Sequence, residues 1–242
     1  MAIYSKRHLK DLIKATPAFH KSDFAQALKD GFVQIDEKLR TAEGKKELKE
    51  ISNELVKDQG LYGTADPDEL ANGIGCTACV ALITRSEIYV ANAGDSRSVL
   101  CRKGTAIAMS EDHKPDLERE RKRIEKAGGN VDDGRVKGIL NLSRSLGDLE
   151  YKMDKKLSAA EQMITAMPEI KTEKLTSDTE FLIVGCDGVW DCLTNEKAVS
   201  LVREKIWNHS TNKLVKAKLG KVVGDILDSI LAVDLENPGK EY

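Results

Sequence analysis

The chain has 242 residues, enough for one large domain with a sizeable core. Its 38 basic and 40 acidic residues leave a formal net charge of -2 with no long single-sign block, so a nucleic-acid partner is not expected. No apolar run is long enough to span a bilayer or to serve as a signal peptide, and the expectation is a cytoplasmic or nuclear protein without membrane insertion.

Leu9, Leu12 and Ile13 share one side of an N-terminal helix that Thr16-Pro17 ends. Ser22 is the expected cap of a second helix, whose Phe24, Leu28, Phe32, Ile35 and Leu39 recur at helical spacing. A third amphipathic segment, 43–58, turns Leu48, Ile51 and Leu55 inward, and residues 60–73 read as a loop. The period then changes. Residues 74–83, 87–93, 97–101 and 105–109 read as short strands with tight connections, an antiparallel meander.

After the polar turn Ser110-Glu-Asp-His-Lys-Pro115 a helix is expected over 116–127, closed by Gly128-Gly129. Its run Glu118-Arg-Glu-Arg-Lys-Arg-Ile-Glu-Lys126 reads as a solvated face, with Leu117, Ile124 and Ala127 as a narrow buried stripe. Residues 150–165 read as an irregular flap, 169–175 and 180–185 as strands. The stretch Phe181-Leu-Ile-Val-Gly185 has the pattern of a strand buried on both faces. Thr194 or Asn195 caps a helix carrying Ala198, Val199, Val202 and Ile206. A longer helix over about 212–232 buries Val215, Leu219, Val222, Ile226 and Ile230, before a polar tail at 234–242. The whole reads as a single α+β domain, 1–242: helical over 1–58, mainly strands with one helix over 74–185, and helical over 194–232, with helices packed on antiparallel sheets.

Five cysteines form no framework. Cys76 and Cys79 spell C-x-x-C, but residues three apart on a strand face opposite sides, so all five read as reduced and mostly buried. The carboxylates carry more information. Asp95, Asp112, Asp148, Asp187 and Asp191 all fall at strand ends or in adjacent turns. A lone carboxylate aimed inward is costly to bury, so Asp187 reads either as a cation holder or as a turn Asp bonded to nearby N–H groups. An all-oxygen site built from several such groups selects Mg²⁺ or Mn²⁺, and a pair of ions roughly 3.5–4 Å apart activates water for phosphoester hydrolysis. Rival phosphate chemistries fit less well. There is no G-x-x-x-x-G-K-[ST] loop; Val189 stands where an aspartyl-phosphate enzyme needs a second carboxylate; and Cys186 is followed by Asp-Gly and not by the Arg-bearing phosphate loop a Cys phosphatase needs.

Taken together, Gly75-Cys-Thr-Ala78, Val90-Ala-Asn-Ala-Gly-Asp-Ser-Arg97, Asp112-His-Lys-Pro115, Ala127-Gly-Gly129, Arg135-Val-Lys-Gly138, Leu142-Ser-Arg-Ser-Leu-Gly-Asp148, Pro168-Glu-Ile170 and Cys186-Asp-Gly-Val-Trp-Asp191 resemble, in order, the metal-dependent Ser/Thr protein phosphatases of type 2C (PPM). The resemblance implies an antiparallel β-sandwich flanked by helix pairs, and hydrolysis of phosphoserine and phosphothreonine in phosphoprotein substrates by a metal-activated water. It makes Asp187 a ligand of an Mg²⁺ or Mn²⁺ pair and Asp112 a ligand of a more weakly held third ion. Asp95, Arg97, Arg144 and Asp148 shape or support the site. Trp190 is expected in the core and His113 in a solvated turn, while His8, His20 and His209 carry no signal.

The departures matter too. The family's first motifs, a strand bearing Glu-Asp and then Asp-Gly-His-Gly-Gly with the acid-type His, have no match, nor does its closing Asp-Asn-Met/Ile-Thr strand. The catalytic acid is therefore unknown. The isolated chain is expected to be inactive or weakly active, with open sheet edges at both chain ends. The expectation is a piece of a complete phosphatase. The alternatives are a second chain or segment that completes the sheet, and a degenerate pseudophosphatase acting as an interaction module.

Overall fold

The computed structural model describes residues 1–58, 66–208, 213–214 and 218–231. Residues 60–65 of the expected loop, Val215, His209 and the polar tail lie outside the described residues. In chain order the first elements are helices α1 (Ala2–Ala15), α2 (Pro17–His20), α3 (Phe24–Arg40), α4 (Ala42–Asp58) and α5 (Pro67–Gly73). Strands β1 (Gly75–Cys76), β2 (Ala78–Ile83), β3 (Glu87–Ala93), β4 (Arg97–Arg102) and β5 (Thr105–Ala108) come next, then α6 (Glu118–Lys126). They are followed by β6 (Val131–Asp132), β7 (Arg135–Val136), β8 (Leu146–Gly147), β9 (Glu169–Lys174) and β10 (Thr179–Gly185). The last elements are α7 (Asp187–Trp190), α8 (Asn195–Ile206), β11 (Trp207–Asn208), β12 (Lys213–Leu214) and α9 (Leu219–Ile230). The chain divides into two compact units, Met1–Arg97 with Met109–Leu175, and Ser98–Ala108 with Thr176 onward.

In the first unit, Leu28, Phe32, Ile35 and Leu39 of α3 are fully buried, each worth about 1.5–3 kcal/mol of burial. They pack with Tyr4, Leu9 and Ile13 of α1 and Leu48 and Ile51 of α4 onto Ala91 and Ala93 of β3. Leu55 departs from the expected stripe: it is 43% exposed. The cap of α3 is Asp23, whose Oδ1 accepts from Gln26 N at 3.1 Å, and not Ser22, which sits at φ +62°. The expected loop before the strands contains a helix, α5, because Asp66 caps it and Pro67 occupies its first turn, while Leu70 and Ala71 are buried.

β2 pairs antiparallel with β3 from Ala78↔Ala93 to Ile83↔Ile88, and β3 with β9, giving a three-stranded sheet in the order β2-β3-β9. The expected first strand is interrupted at Thr77, where β1 leaves to pair with β8. The expected meander also breaks at Gly94-Asp-Ser96, since β4 joins a different sheet, ordered β10-β4-β5. Gly94 lies at φ +115°, a conformation that takes the chain out of the β3 direction instead of closing a hairpin.

In the second unit that sheet supports a core of Val99, Cys101, Trp190, Leu193, Ala198, Val199, Ile206, Val222 and Ile226. β10 is half-buried along its length and Val184 is exposed, so it is not the doubly buried strand its apolar run implied. Thr194 caps α8 through Lys197 N at 3.2 Å. The last helix starts at Leu219, later than expected, because Lys213–Leu214 pairs with Trp207–Asn208; Leu219 itself is exposed. Cys186 and Cys192 are exposed as well, against the expectation of mostly buried cysteines, and all five thiols are free.

Candidate functional site

Two turns of the first unit are stitched together. His113 N donates to Gly94 O at 3.0 Å, and Asn92 Nδ2 donates to Gly94 O and Glu111 O, each at 3.0 Å. Across this seam the Arg97 guanidinium grips both oxygens of Asp112, Nε to Oδ1 at 2.9 Å and Nη2 to Oδ2 at 2.8 Å. Lys114 Nζ donates to Asp95 Oδ2. Each turn therefore supplies an acid and a base two positions apart, and the four side chains pair crosswise. The Ser96 and Thr77 hydroxyls share a hydrogen bond at 2.8 Å and tie the first turn to the β1–β2 break.

Beside this seam lies a buried carboxylate that the sequence pattern concealed. Glu120, on α6, is 0% exposed, although it falls within the run read as a solvated face. Arg144 donates to it from Nη2 at 2.6 Å and Nε at 3.1 Å, Ser143 Oγ lies 2.8 Å from Oε2, Arg123 Nη1 donates to Oε2, and Arg119 Nε lies 3.5 Å from Oε1. Burial pushes its pKa up, but the Arg144 hydrogen bond and the charges of Arg123 and Arg144 outweigh this and hold the carboxyl at about 2. The two guanidiniums in turn bind the carbonyls of Ser143, Gln162, Met163 and Met167. One buried anion thereby fastens the irregular segment 143–167 to α6. That segment is no loose flap, since Lys152, Gln162, Ile164 and Thr165 are buried.

His113 corrects a second expectation, for it is fully buried and not in a solvated turn. Its carbonyl accepts from Ser143 N at 3.2 Å, and Nε2 lies 3.4 Å from Glu169 Oε2. Burial first, and the positive charge of Arg144 second, pull its pKa down to about 4, so the ring is neutral near pH 7.

Asp148 closes the Ser-Arg-Ser-Leu-Gly-Asp turn at φ +49°, and its Oδ2 accepts from Ser145 Oγ at 2.5 Å. Burial raises its pKa against the opposing pull of Ser145 and Lys152. Lys152 Nζ bonds Asp36 Oδ2 at 2.5 Å and Ser145 O at 2.8 Å, while Gly147 N donates to Asp36 Oδ1 at 2.8 Å. Asp36 on α3 thus anchors the turn from below. Its place on the polar shoulder of an ordinary core helix gave no sequence signal.

Asp187 belongs to the second unit and opens α7. It is exposed, and its Oδ1 lies 2.8 Å from the N–H of Gly188, as a turn Asp would. The expected inward carboxylate at the end of a core strand is therefore not what forms here. Trp190 is buried as expected and donates from Nε1 to Gly185 O at 2.8 Å. Among the described residues, no three Asp, Glu, His or Cys side chains converge to hold a metal ion.

Residues 1–225 match the family model for Protein phosphatase 2C. "Protein phosphatase 2C 1" of Paramecium tetraurelia is 46% identical over 235 residues, covering 97% of this chain and 73% of that relative. The chain belongs to the protein phosphatase 2C family. Two solved structures match this phosphatase 2C chain in fold. A Toxoplasma gondii serine-threonine phosphatase 2C superposes with a TM-score of 0.64 over 93% of this chain and 75% of that one, at 16% identity. A Caenorhabditis elegans sex determining protein gives 0.65 over 94% of this chain and 48% of that one, at 21% identity. The mixed α+β fold expected from the motifs is the fold these structures share.

For this phosphatase 2C chain, the carboxylates of the first unit do not fit a metal pair. Asp112 has both oxygens in the Arg97 fork, Asp95 holds Lys114, and Asp148 is buried on Ser145. The neighbouring Glu111 and Glu169 are also paired, both with Arg119, at 3.0 and 2.6 Å. Hard dications need several unspent oxygens in one place, and the described residues do not supply them.

Proposed function

We propose that the protein to which this chain belongs hydrolyses phosphoserine and phosphothreonine in protein substrates, in the cytosol or nucleus, and that the chain alone is inactive or weakly active. The single observation behind the hydrolytic reading is family membership across residues 1–225, with every motif from Gly75-Cys-Thr-Ala78 to Cys186-Asp-Gly-Val-Trp-Asp191 in order. Of the two ligands the resemblance assigns, Asp187 is solvent-accessible and available, and it is the residue on which metal dependence would rest.

What this chain's own residues do is hold the surroundings rigid. The crossed pairs fix the two turns carrying Asp95, Arg97 and Asp112, and Glu120 with its two guanidiniums fixes the segment beginning at Ser143. Neutral His113 adds no charge to the seam. A segment completing the sheet would add at β2, which has a strand neighbour on one side only among the described residues. Both faces of β2 and the α1 residues Leu9 and Ile13 line an apolar groove of about 560 Å³ along that edge.

The test is phosphate release from phosphoserine, phosphothreonine and phosphotyrosine peptides in Mn²⁺, for the natural protein and for this chain. Release from the first two substrates by the natural protein, lost in Asp187→Ala, supports the reading. A second reading, a pseudophosphatase acting as an interaction module, draws on the internally neutralised carboxylates. It predicts no release from any peptide by the natural protein.

A further inference from the structure

The family's chemistry would assign Asp112 to a cation-binding role, yet in this chain a protein cation already occupies it. The fork from Arg97 uses Nε and Nη2 in parallel, the arrangement that most favours a carboxylate, and both partners are largely shielded, at 23% and 22% side-chain exposure. The geometry is over-determined from both sides. Arg97 begins β4, and Asp112 is held by its neighbours, since His113 bonds Gly94 and Lys114 bonds Asp95. A guanidinium fixed on both oxygens neutralises the charge a dication would need and occupies the plane it would enter.

We infer that Arg97 is the resident counter-ion of Asp112, so that Asp112 is not a metal ligand in this chain and the seam between the two turns closes without metal. The inference concerns charge balance and not turnover, so it stands or falls apart from the hydrolytic reading. A divalent ion and the guanidinium are alternatives at one carboxylate. Removing the guanidinium should leave an unneutralised Asp112 that a dication can serve in its place.

Thermal melting of the chain, with and without Mn²⁺, reads this directly. In the parent chain, Mn²⁺ should not raise Tm by any amount that Asp112→Asn removes. Arg97→Gln should lower Tm by roughly 2–4 °C for each kcal/mol lost, and Mn²⁺ should restore most of that loss. The restoration should vanish in Arg97→Gln/Asp112→Asn, and without metal that double variant should melt no lower than the worse single one, because both changes break the same pair. Should Arg97→Gln fail to fold, Arg97→Lys retains a cation without the fork and should show a smaller loss and a smaller Mn²⁺ rescue. A parent Tm raised by Mn²⁺ through Asp112, or an Arg97 variant that folds but is indifferent to Mn²⁺, overturns the inference.

Discussion

Glu120 and Arg144 are joined through one edge of the guanidinium, with Nη2 at 2.6 Å from Oε1 and Nε at 3.1 Å from each oxygen, and the carboxylate is wholly buried. Arg123 shares the same carboxylate, so one anion balances two shielded cations. Replacing it with the isosteric amide preserves volume but leaves buried charge uncompensated. Glu120→Gln is expected to destabilise the first unit by about 3–5 kcal/mol. Urea unfolding of the two proteins measures this; a loss within error would mean that the guanidiniums find other partners at little cost.

The same carboxylate sets an acid limit. Its pKa in the fold, about 2, lies below the ordinary value of 4.5. The unfolded chain therefore takes up the proton first as pH falls. The contribution of Glu120 is complete above the ordinary value and is lost as pH drops through the folded value, over the window from roughly 4.5 down to 2. Stability against urea should decline across that window, and the decline should be shallower in Glu120→Gln. Parallel slopes for the two proteins would remove Glu120 from the account.

What could be read from residues alone depended on whether signal was local. The α3 stripe and the β3 strand are periodic in sequence, and they form where expected. The motif turns carry Gly at positions of positive φ, such as Gly94 and Gly147, and they too are where the pattern put them. Long-range balance was hidden. Glu120 sits among alternating charges that differ only in what the rest of the fold brings to them, namely Ser143 and Arg144 from 23 and 24 positions away. His113 looked solvated for the same reason, since the groups that bury it come from other turns. At Asp187 the pattern left two readings open, a cation holder and a turn Asp. The apolar run before it is real, but β10 is half-buried, and the turn opens toward solvent.

The start of α3 offers a clean contrast between pattern and geometry. Ser22 and Asp23 are both good capping types, but only Asp23 accepts the Gln26 N–H, while Ser22 lies at φ +62°. Asp23→Ala should cost about 1 kcal/mol, within the usual range of roughly 0.5–2 for a lost cap. Ser22→Gly should cost nothing and is expected to stabilise slightly, because glycine adopts that φ freely. Thermal melting of the two variants separates the assignments; a larger loss at position 22 than at 23 would return the cap to Ser22.

Gly75 explains why the β1–β8 pair tolerates no side chain at its closest point. It faces Gly147 across the ladder, and a Cβ built on it would overlap the Asp148 carboxylate. That carboxylate cannot retreat easily, because Ser145 holds it and the surroundings are buried. Gly75→Ala is therefore expected to destabilise by about 1–3 kcal/mol, the usual cost of overpacking. Asp148→Gly removes the obstructing atoms and also suits the φ of +49° at that position. In the Asp148→Gly background, then, Gly75→Ala should cost less than half as much, a coupling that a double-mutant cycle in urea reads directly. Equal costs in both backgrounds would place the obstruction in the backbone of β8 and not in the Asp148 side chain.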